Sequence, residues 1–257
     1  MRSEQVQLDP AEDGVLRLTL CAPRANALTP ELLDAIRAAL DSVDRAGPST
    51  LIVAGGRNFC SGGDVARFLD AADRGMAKDY ARQVVPALQE VVLRLFGLSA
   101  TVAVAARGAI TGGGAGLLFA ADCAVLAPDA FVQPFYARMG FAPDGGWTAL
   151  LPDRIGRAHA GAWIATDRRQ DAEALKGLGI CDAVDADPEA AALRLLDGTS
   201  AGTRIAAKRL LRDETTLKAV AAALDAETAA FLDRIDTPDV ARRMADFVGV
   251  SRDAAHV

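Results

Sequence analysis

Residues 100–122 read ATVAVAARGAITGGGAGLLFAAD, and the fold follows from how this stretch is read. Ala100 to Ala105 are six apolar or small residues, with the length and character of a strand buried on both faces. Arg107-Gly108 interrupts the run, and Gly112-Gly113-Gly114 then opens an apolar helix predicted over Ala115 to Ala121. A strand, a glycine turn and a helix N-terminus in succession leave backbone N–H groups without partners, with the positive end of the helix dipole behind them. Such a place holds negative charge, on a bound phosphate or on an oxygen that becomes anionic during a reaction. A triple glycine alone also suits close packing of a helix on a strand; a second turn of the same kind is needed to make a site.

That second turn is Asn58-Phe-Cys-Ser-Gly-Gly-Asp64, which follows another buried strand, Thr50-Leu-Ile-Val-Ala54. Two glycine turns on neighbouring strands are able to offer two backbone N–H donors to one carbonyl oxygen. Around them the chain alternates strand and helix. Val15–Leu20 has the alternation of a half-exposed strand. Thr29-Pro-Glu starts a helix with a capping hydroxyl, a proline at the first helical position and an acid in the first turn, and Gly47-Pro48 ends it. Val84, Val85, Leu88, Val91, Val92 and Leu95 define another amphipathic helix leading into residues 100–105. This alternation predicts parallel βαβ units. Arg67 to Ala81, polar with Gly75 in the middle, reads as a mobile helix or lid. Short strands are expected at Cys123–Leu126 and Phe131-Val132, a helix over Ile155 to Ala165 and an extended piece at Ile180–Val184. From Ala190 the pattern is wholly helical, with Thr237-Pro-Asp starting a terminal helix. The chain therefore divides into an α/β core over residues 1–190 and a helical region over residues 191–257.

The 257 residues, 51% of them hydrophobic, suffice for a large core, and a net charge of −6 with no basic cluster argues against a nucleic-acid surface. The N-terminus has no apolar signal-peptide segment, and no apolar run approaches the roughly 18–20 residues that cross a bilayer, so a cytoplasmic protein is expected. Cys21, Cys60, Cys123 and Cys181 are scattered and form neither a disulfide framework nor a metal pattern. Cys60, in a glycine turn, reads as a small reduced side chain rather than a reactive thiol. His159 and His256 are the only histidines, one in a predicted helix and one at the chain end, which argues against histidine catalysis and a metal site. Asp64 and Asp122 read as turn anchors that accept backbone N–H bonds.

Six segments in order carry a resemblance: Pro23-Arg-Ala-Asn-Ala-Leu28, Phe59–Asp64, Gly112–Gly114, Gly140-Phe-Ala-Pro-Asp-Gly-Gly146, Leu151-Pro-Asp-Arg-Ile-Gly156 and Ala174-Leu-Lys-Gly-Leu-Gly-Ile180. With them the chain resembles the crotonase, or enoyl-CoA hydratase/isomerase, superfamily from about Val15 to Val184. The resemblance implies an α/β crotonase-like ββα spiral core with a C-terminal helical trimerisation region, assembled as a homotrimer or a dimer of trimers. It implies an acyl-CoA substrate, with coenzyme A entering as part of that substrate and no tightly bound cofactor. By matching positions, the thioester oxygen would sit between the N–H groups of Gly63 and Gly113, while Arg24, Ala25 and Arg67 would lie near the coenzyme; a solvated surface arginine is the alternative for Arg24 and Arg67.

Hydratases of this family hold a water between two glutamates. The first would fall four residues beyond Gly112, where this chain has Gly116; the second would follow Pro134, where it has Phe135, or, counted back from Gly140, would be Tyr136. An acid appears instead at Asp144, the position of the single carboxylate in enoyl-CoA isomerases, in ring-epoxide phenylacetyl-CoA isomerases and in an aryl-CoA dehalogenase, and the surrounding residues are most similar to the phenylacetyl branch. One carboxylate suffices for isomerisation, because it takes a proton from one carbon and returns it to another. Burial against Phe131, Phe135, Phe141 and Trp147 is expected to raise its pKa. Pro-Asp-Gly-Gly is also an ordinary turn sequence. An isomerase with Asp144 as proton shuttle, and Tyr136 as the fallback acid, therefore stands beside two alternatives, a hydratase and an acyl-CoA-binding protein without catalysis.

Overall fold

The computed structural model describes residues 3–11 and 14–249. The expected alternation of strand and helix builds a six-stranded sheet in the order β1-β2-β3-β4-β6-β9, with β1 Val6–Pro10, β2 Val15–Leu20, β3 Thr50–Gly55, β4 Thr101–Ala106, β6 Cys123–Leu126 and β9 Ala183–Val184. Within this sheet only the β1–β2 pair is antiparallel; β2, β3, β4, β6 and β9 run parallel. Residue 100 and all of β4 are buried, as a continuous apolar run with a neighbour on each side requires. A second sheet of three short strands, β5 Ala109–Thr111, β7 Phe131–Gln133 and β8 Gln170–Asp171, stands beside it.

Helices cross between the parallel strands. The Pro30–Ala46 helix starts where the sequence places it: the Thr29 hydroxyl accepts the Leu32 N–H at 3.3 Å, and Gly47 closes the far end in the left-handed conformation. Leu32, Leu33, Ile36, Leu40 and Val43 form its buried face. The 67–81 stretch is two helices, the end of Val65–Asp73 and the start of Ala77–Gly97, joined through Gly75 at positive φ. Phe68 and Leu69 are buried there, so the segment is a wall of the core. The helix expected over 155–165 forms as Arg157–Thr166, starting later because Gly156 at φ 83° separates it from Leu151–Ile155, to which Ile155 belongs. Among the described residues, four helices follow β9, at Pro188–Leu196, Ala201–Leu211, Glu214–Arg234 and Pro238–Val248.

These last helices fold back onto the core. Lys208 reaches the Ala100 carbonyl at 3.0 Å and Asp122 at 2.7 Å, and Arg212 pairs with Asp122 at 3.1 Å. Asp122 in turn accepts the Val102 N–H at 2.7 Å, the anchoring role its position suggested. No helix among the described residues is long and apolar enough to cross a membrane.

Candidate active site

The two glycine turns come together beyond β3 and β5, where Cys60 pairs with Ile110 of β5. Phe59 donates its N–H to Arg107 at 2.9 Å, Cys60 to Ala109 at 3.0 Å, and Thr111 to Cys60 at 2.9 Å. Glycine is required by closeness here. A Cβ on Gly62, already at φ +77°, would sit 2.7 Å from the Thr111 oxygen, and one on Gly114 would sit 2.5 Å from the Cys60 sulfur. Burial pushes the Cys60 thiol up to about 12, and the thiol is spent on the Asn26 carbonyl at 3.1 Å, so it is a packing group.

A third segment is tied to the same place. Arg24, Ala25 and Asn26 all have positive φ, 54°, 57° and 56°, a left-handed turn of three residues with side chains. Their groups go to the first glycine turn: Ser61 N–H to the Ala25 carbonyl at 3.0 Å, the Ser61 hydroxyl to the Arg24 carbonyl at 2.9 Å, and the Asn26 amide to the Phe59 carbonyl at 2.9 Å. Leu28 then donates to the Gly62 carbonyl at 2.8 Å. Asp64 caps the helix after the turn by accepting the Arg67 N–H at 3.2 Å, and it pairs with Arg24 at 2.6 Å.

A cavity of about 380 Å³ opens between these segments. Gly63, Gly113 and Asp144 all line it, together with Tyr136, Phe68, Phe135, Phe141 and Phe231. The Gly63 N–H is bonded to no backbone acceptor in its turn, and Gly113 lies in the first turn of a helix, where N–H groups lack intrahelical partners. Asp144 is 7% exposed, and burial is the chief cause that lifts its carboxyl to about 7, with the charge of Glu227 adding to the rise. The Tyr136 hydroxyl donates to Asp144 Oδ1 at 2.6 Å and opposes that rise. The same burial, reinforced by the Asp144 charge, pushes the Tyr136 phenol well above its ordinary value, so it acts as a donor.

Of the positions matched to the hydratase glutamates, Gly116 is closed, while the two alternatives for the second, Phe135 and Tyr136, both line the cavity. A Cβ on Gly116 would lie 1.9 Å from the Gly145 carbonyl oxygen, so no side chain fits. Phe135 sits at φ 63° and donates its N–H to Asp167, with its ring lining the cavity. The loop carrying Asp144 interlocks with the triple glycine: Trp147 donates its indole N–H to the Gly112 carbonyl at 2.8 Å, and Gly145 at φ +66° packs on Gly113.

Phe131, expected beside Asp144, does not line the cavity; its ring lies under the guanidinium of Arg169, the residue before β8, at 3.6 Å. Trp147 is wholly buried next to Tyr136. Arg24 borders the cavity, and with Arg67 it lines an adjoining one of about 310 Å³ that also includes Gln5, Thr29, Glu31 and Asp64. Ala25 lines neither. His159 is on an exposed helix face, and His256 lies outside the described residues. No group of histidine, cysteine and acidic residues that would hold a metal occurs among the described residues.

One participant had not been singled out in the sequence. Glu227, on the Glu214–Arg234 helix, is buried and accepts backbone N–H bonds from Gly146, Thr148 and Ala149 at 2.7, 2.6 and 2.9 Å. Its trace in the sequence is a carboxylate within an apolar stripe, Val220, Leu224, Glu227, Phe231, at helical spacing.

The chain matches the enoyl-CoA hydratase/isomerase family over residues 10–250. It is 32% identical over 189 residues to a cyclohexa-1,5-dienecarbonyl-CoA hydratase from Thauera aromatica, covering 72% of this chain and 69% of that one. An enoyl-CoA hydratase from Bacillus halodurans superposes with a TM-score of 0.85 at 21% identity, over 94% of this chain and 99% of that chain. An enoyl-CoA hydratase/isomerase from Xanthobacter autotrophicus Py2 superposes at 0.80 with 27% identity, over 96% and 94% of the two chains.

Proposed function

The chain belongs to the enoyl-CoA hydratase/isomerase family, within the crotonase superfamily, and from that membership we propose that it is an acyl-CoA double-bond isomerase with Asp144 as its proton shuttle. The observation that carries this reading is which acids the cavity holds: Gly116 faces the Gly145 carbonyl at a separation that admits no Cβ, and of the two buried acids at the cavity wall, Asp64 is bonded to Arg24 and the Arg67 N–H, which leaves Asp144 for the reaction.

In this mechanism the thioester oxygen sits between the Gly63 and Gly113 N–H groups. The Asp144 carboxylate removes a proton from the carbon next to the thioester of a β,γ-enoyl-CoA. The C–H electron pair enters the conjugated system, and negative charge gathers on the thioester oxygen, where each backbone donor is worth roughly 3–4 kcal/mol. Asp144 then delivers the same proton to the γ-carbon, the double bond settles between α and β, and the carboxylate is regenerated. No water and no redox partner is consumed. A carboxyl near 7 is matched to both halves of this cycle. Tyr136 holds Oδ1, which leaves Oδ2 for the travelling proton. In this reading Arg24 and Arg67, which line the adjoining cavity and pair there with Asp64 and Glu31, meet the phosphates of coenzyme A.

The relative from Thauera aromatica is named as a hydratase, so water addition through Asp144 is the second reading. Purified protein offered matched β,γ- and α,β-enoyl-CoAs decides between them. Shift of the β,γ double bond, lost in Asp144→Asn, supports isomerisation; rapid hydration of the α,β compound with no double-bond shift overturns it. Asp144→Asn with every measurable activity intact would instead leave an acyl-CoA-binding protein.

A further inference from the structure

Resting on Asp144 as the proton shuttle, we infer that Glu227 is a positioning residue: from the Glu214–Arg234 helix it grips the loop that carries Asp144 and fixes that carboxylate at the cavity wall. A carboxylate in an apolar seam costs several kcal/mol unless its oxygens are satisfied. Glu227 is 4% exposed, between Leu224 and Phe231 on the buried face of its helix, and both oxygens accept hydrogen bonds. Oε2 accepts the Gly146 N–H at 2.7 Å; Oε1 accepts the Thr148 N–H at 2.6 Å, the Thr148 hydroxyl at 2.7 Å and the Ala149 N–H at 2.9 Å. These donors gather on the loop immediately after Asp144, where Gly145 and Gly146 have φ of +66° and +100°. Left-handed glycines make a pliable hinge, and Glu227 is the clamp on its far side.

The loop needs such a clamp because its near side is held by a contact that tolerates no drift. The Gly145 carbonyl fills the space beside Gly116, and Asp144 Oδ1 lies 3.1 Å from where a Cβ on Gly113 would be. A displacement of about one ångström at a reacting group costs on the order of a hundredfold in rate. The clamp also acts electrically. Two titratable groups bear on Asp144: Tyr136 from the Tyr136–Met139 helix, whose hydroxyl stabilises the carboxylate, and Glu227, whose negative charge disfavours it. The Ala77–Gly97 helix brings the uncharged Leu88 and Val84 to this region, and its Gln89 bonds to Asp225 and Thr228 on the clamp helix. Thr148 is the side chain that meets Glu227 from the loop.

The test is kcat and KM against pH with a β,γ-enoyl-CoA, with a thermal melt, for Glu227→Gln, Glu227→Asp, Leu224→Ala and Asp144→Asn. Glu227→Gln removes the charge and presents an amide to donors. We expect kcat to fall about tenfold or more with KM within about twofold, and the acidic limb to move to lower pH, because the group that disfavoured the Asp144 carboxylate is gone. Glu227→Asp keeps the charge but shortens the clamp, so kcat falls with the limb in place. Leu224→Ala opens a cavity in the same seam; it lowers Tm without moving the limb. A limb unmoved in Glu227→Gln, or moved equally in Leu224→Ala, overturns the positioning role, as does a Glu227→Gln that fails to fold beside a Glu227→Asp with full kcat. The parent reading fails separately, if Asp144→Asn retains activity.

Discussion

The two halves of the site are built on opposite principles. One half, the glycine turns that follow β3 and β5, is made of backbone: Gly62 and Gly114 lie so close to the neighbouring turn that side chains are excluded, Gly112 holds a positive φ, and Gly63 and Gly113 border the cavity. It is held by bonds between two adjacent strands. The other half, Tyr136 and Asp144, is made of side chains whose behaviour comes from burial, and the burial is completed by Phe231 and Glu227, far along the chain. A backbone half needs space and local hydrogen bonds; a side-chain half needs cover. Damage to the first acts through sterics, and damage to the second through charge and position.

The heaviest blow falls on the side-chain half. Asp144→Asn is expected to lower kcat by about 10²–10⁴, the usual contribution of a general acid–base group. It also changes stability in a direction fixed by linkage. The carboxyl is raised from 3.8 to about 7, so the folded chain holds a proton that the unfolded chain releases, and stability falls as pH rises from about 4 to about 7. Differential scanning calorimetry above pH 7 is therefore expected to show Asp144→Asn melting higher than the parent, and the two converging near pH 4. A parent Tm that rises across this interval relative to the variant would contradict the buried, proton-holding state.

The backbone half is broken by Gly113→Val. The new Cβ would meet Leu88 at 2.6 Å and Asp144 Oδ1 at 3.1 Å, so the substitution fills the space where the oxygen is held. Turnover is expected to drop at least about a hundredfold, with a loss of stability of about 1–3 kcal/mol from overpacking against the movable end of Leu88. Urea unfolding with an unchanged m-value would show that the fold persists; near-parental turnover would mean that the Gly113 N–H is not a donor to the reacting oxygen.

Tyr136→Phe sharpens the comparison. The phenol bond favours the Asp144 carboxylate, so its removal moves the acidic limb of the rate profile to higher pH, with an expected loss of about tenfold in kcat below the limb. A limb that stays put would make Tyr136 a packing residue. The smallest effect is expected at Cys60→Ala. Its buried thiol bonds the Asn26 carbonyl, so about 1–2 kcal/mol of stability is lost, while turnover stays within about twofold. Loss of activity on thiol alkylation of the parent but not of Cys60→Ala would restore a chemical role to that sulfur.

The same contrast explains which parts were legible in the sequence. Glycines forced by close approach leave a visible mark, so both turns, the strands feeding them and the Thr29 and Gly47 boundaries could be read directly. The burial of Asp144 is legible from the aromatic residues around it in the sequence, but not the whole of its cover, because Phe68 and Phe231 come from the distant Val65–Asp73 and Glu214–Arg234 helices. Glu227 bonds Gly146 across 81 positions, beyond any local pattern. The break at Gly156 hides inside an otherwise helical composition. Phe131 was placed on the wrong side because one residue of register decides which face of a strand a ring takes, with Val132 buried next to it.

The left-handed turn at Arg24–Asn26 bears on how this protein could be hardened or softened. Such a backbone costs a residue with a side chain roughly 1–2 kcal/mol, so three in a row form a loaded spring, kept cocked by Ser61 and the Phe59 carbonyl. Glycine at Ala25 would relax the spring and, at the same time, widen the conformational freedom of the unfolded chain by a comparable amount. The melting temperature would then record almost nothing, while the turn that braces Gly63 lost its stiffness. At this corner thermal robustness and geometric precision are separate quantities, and a screen for one is blind to the other.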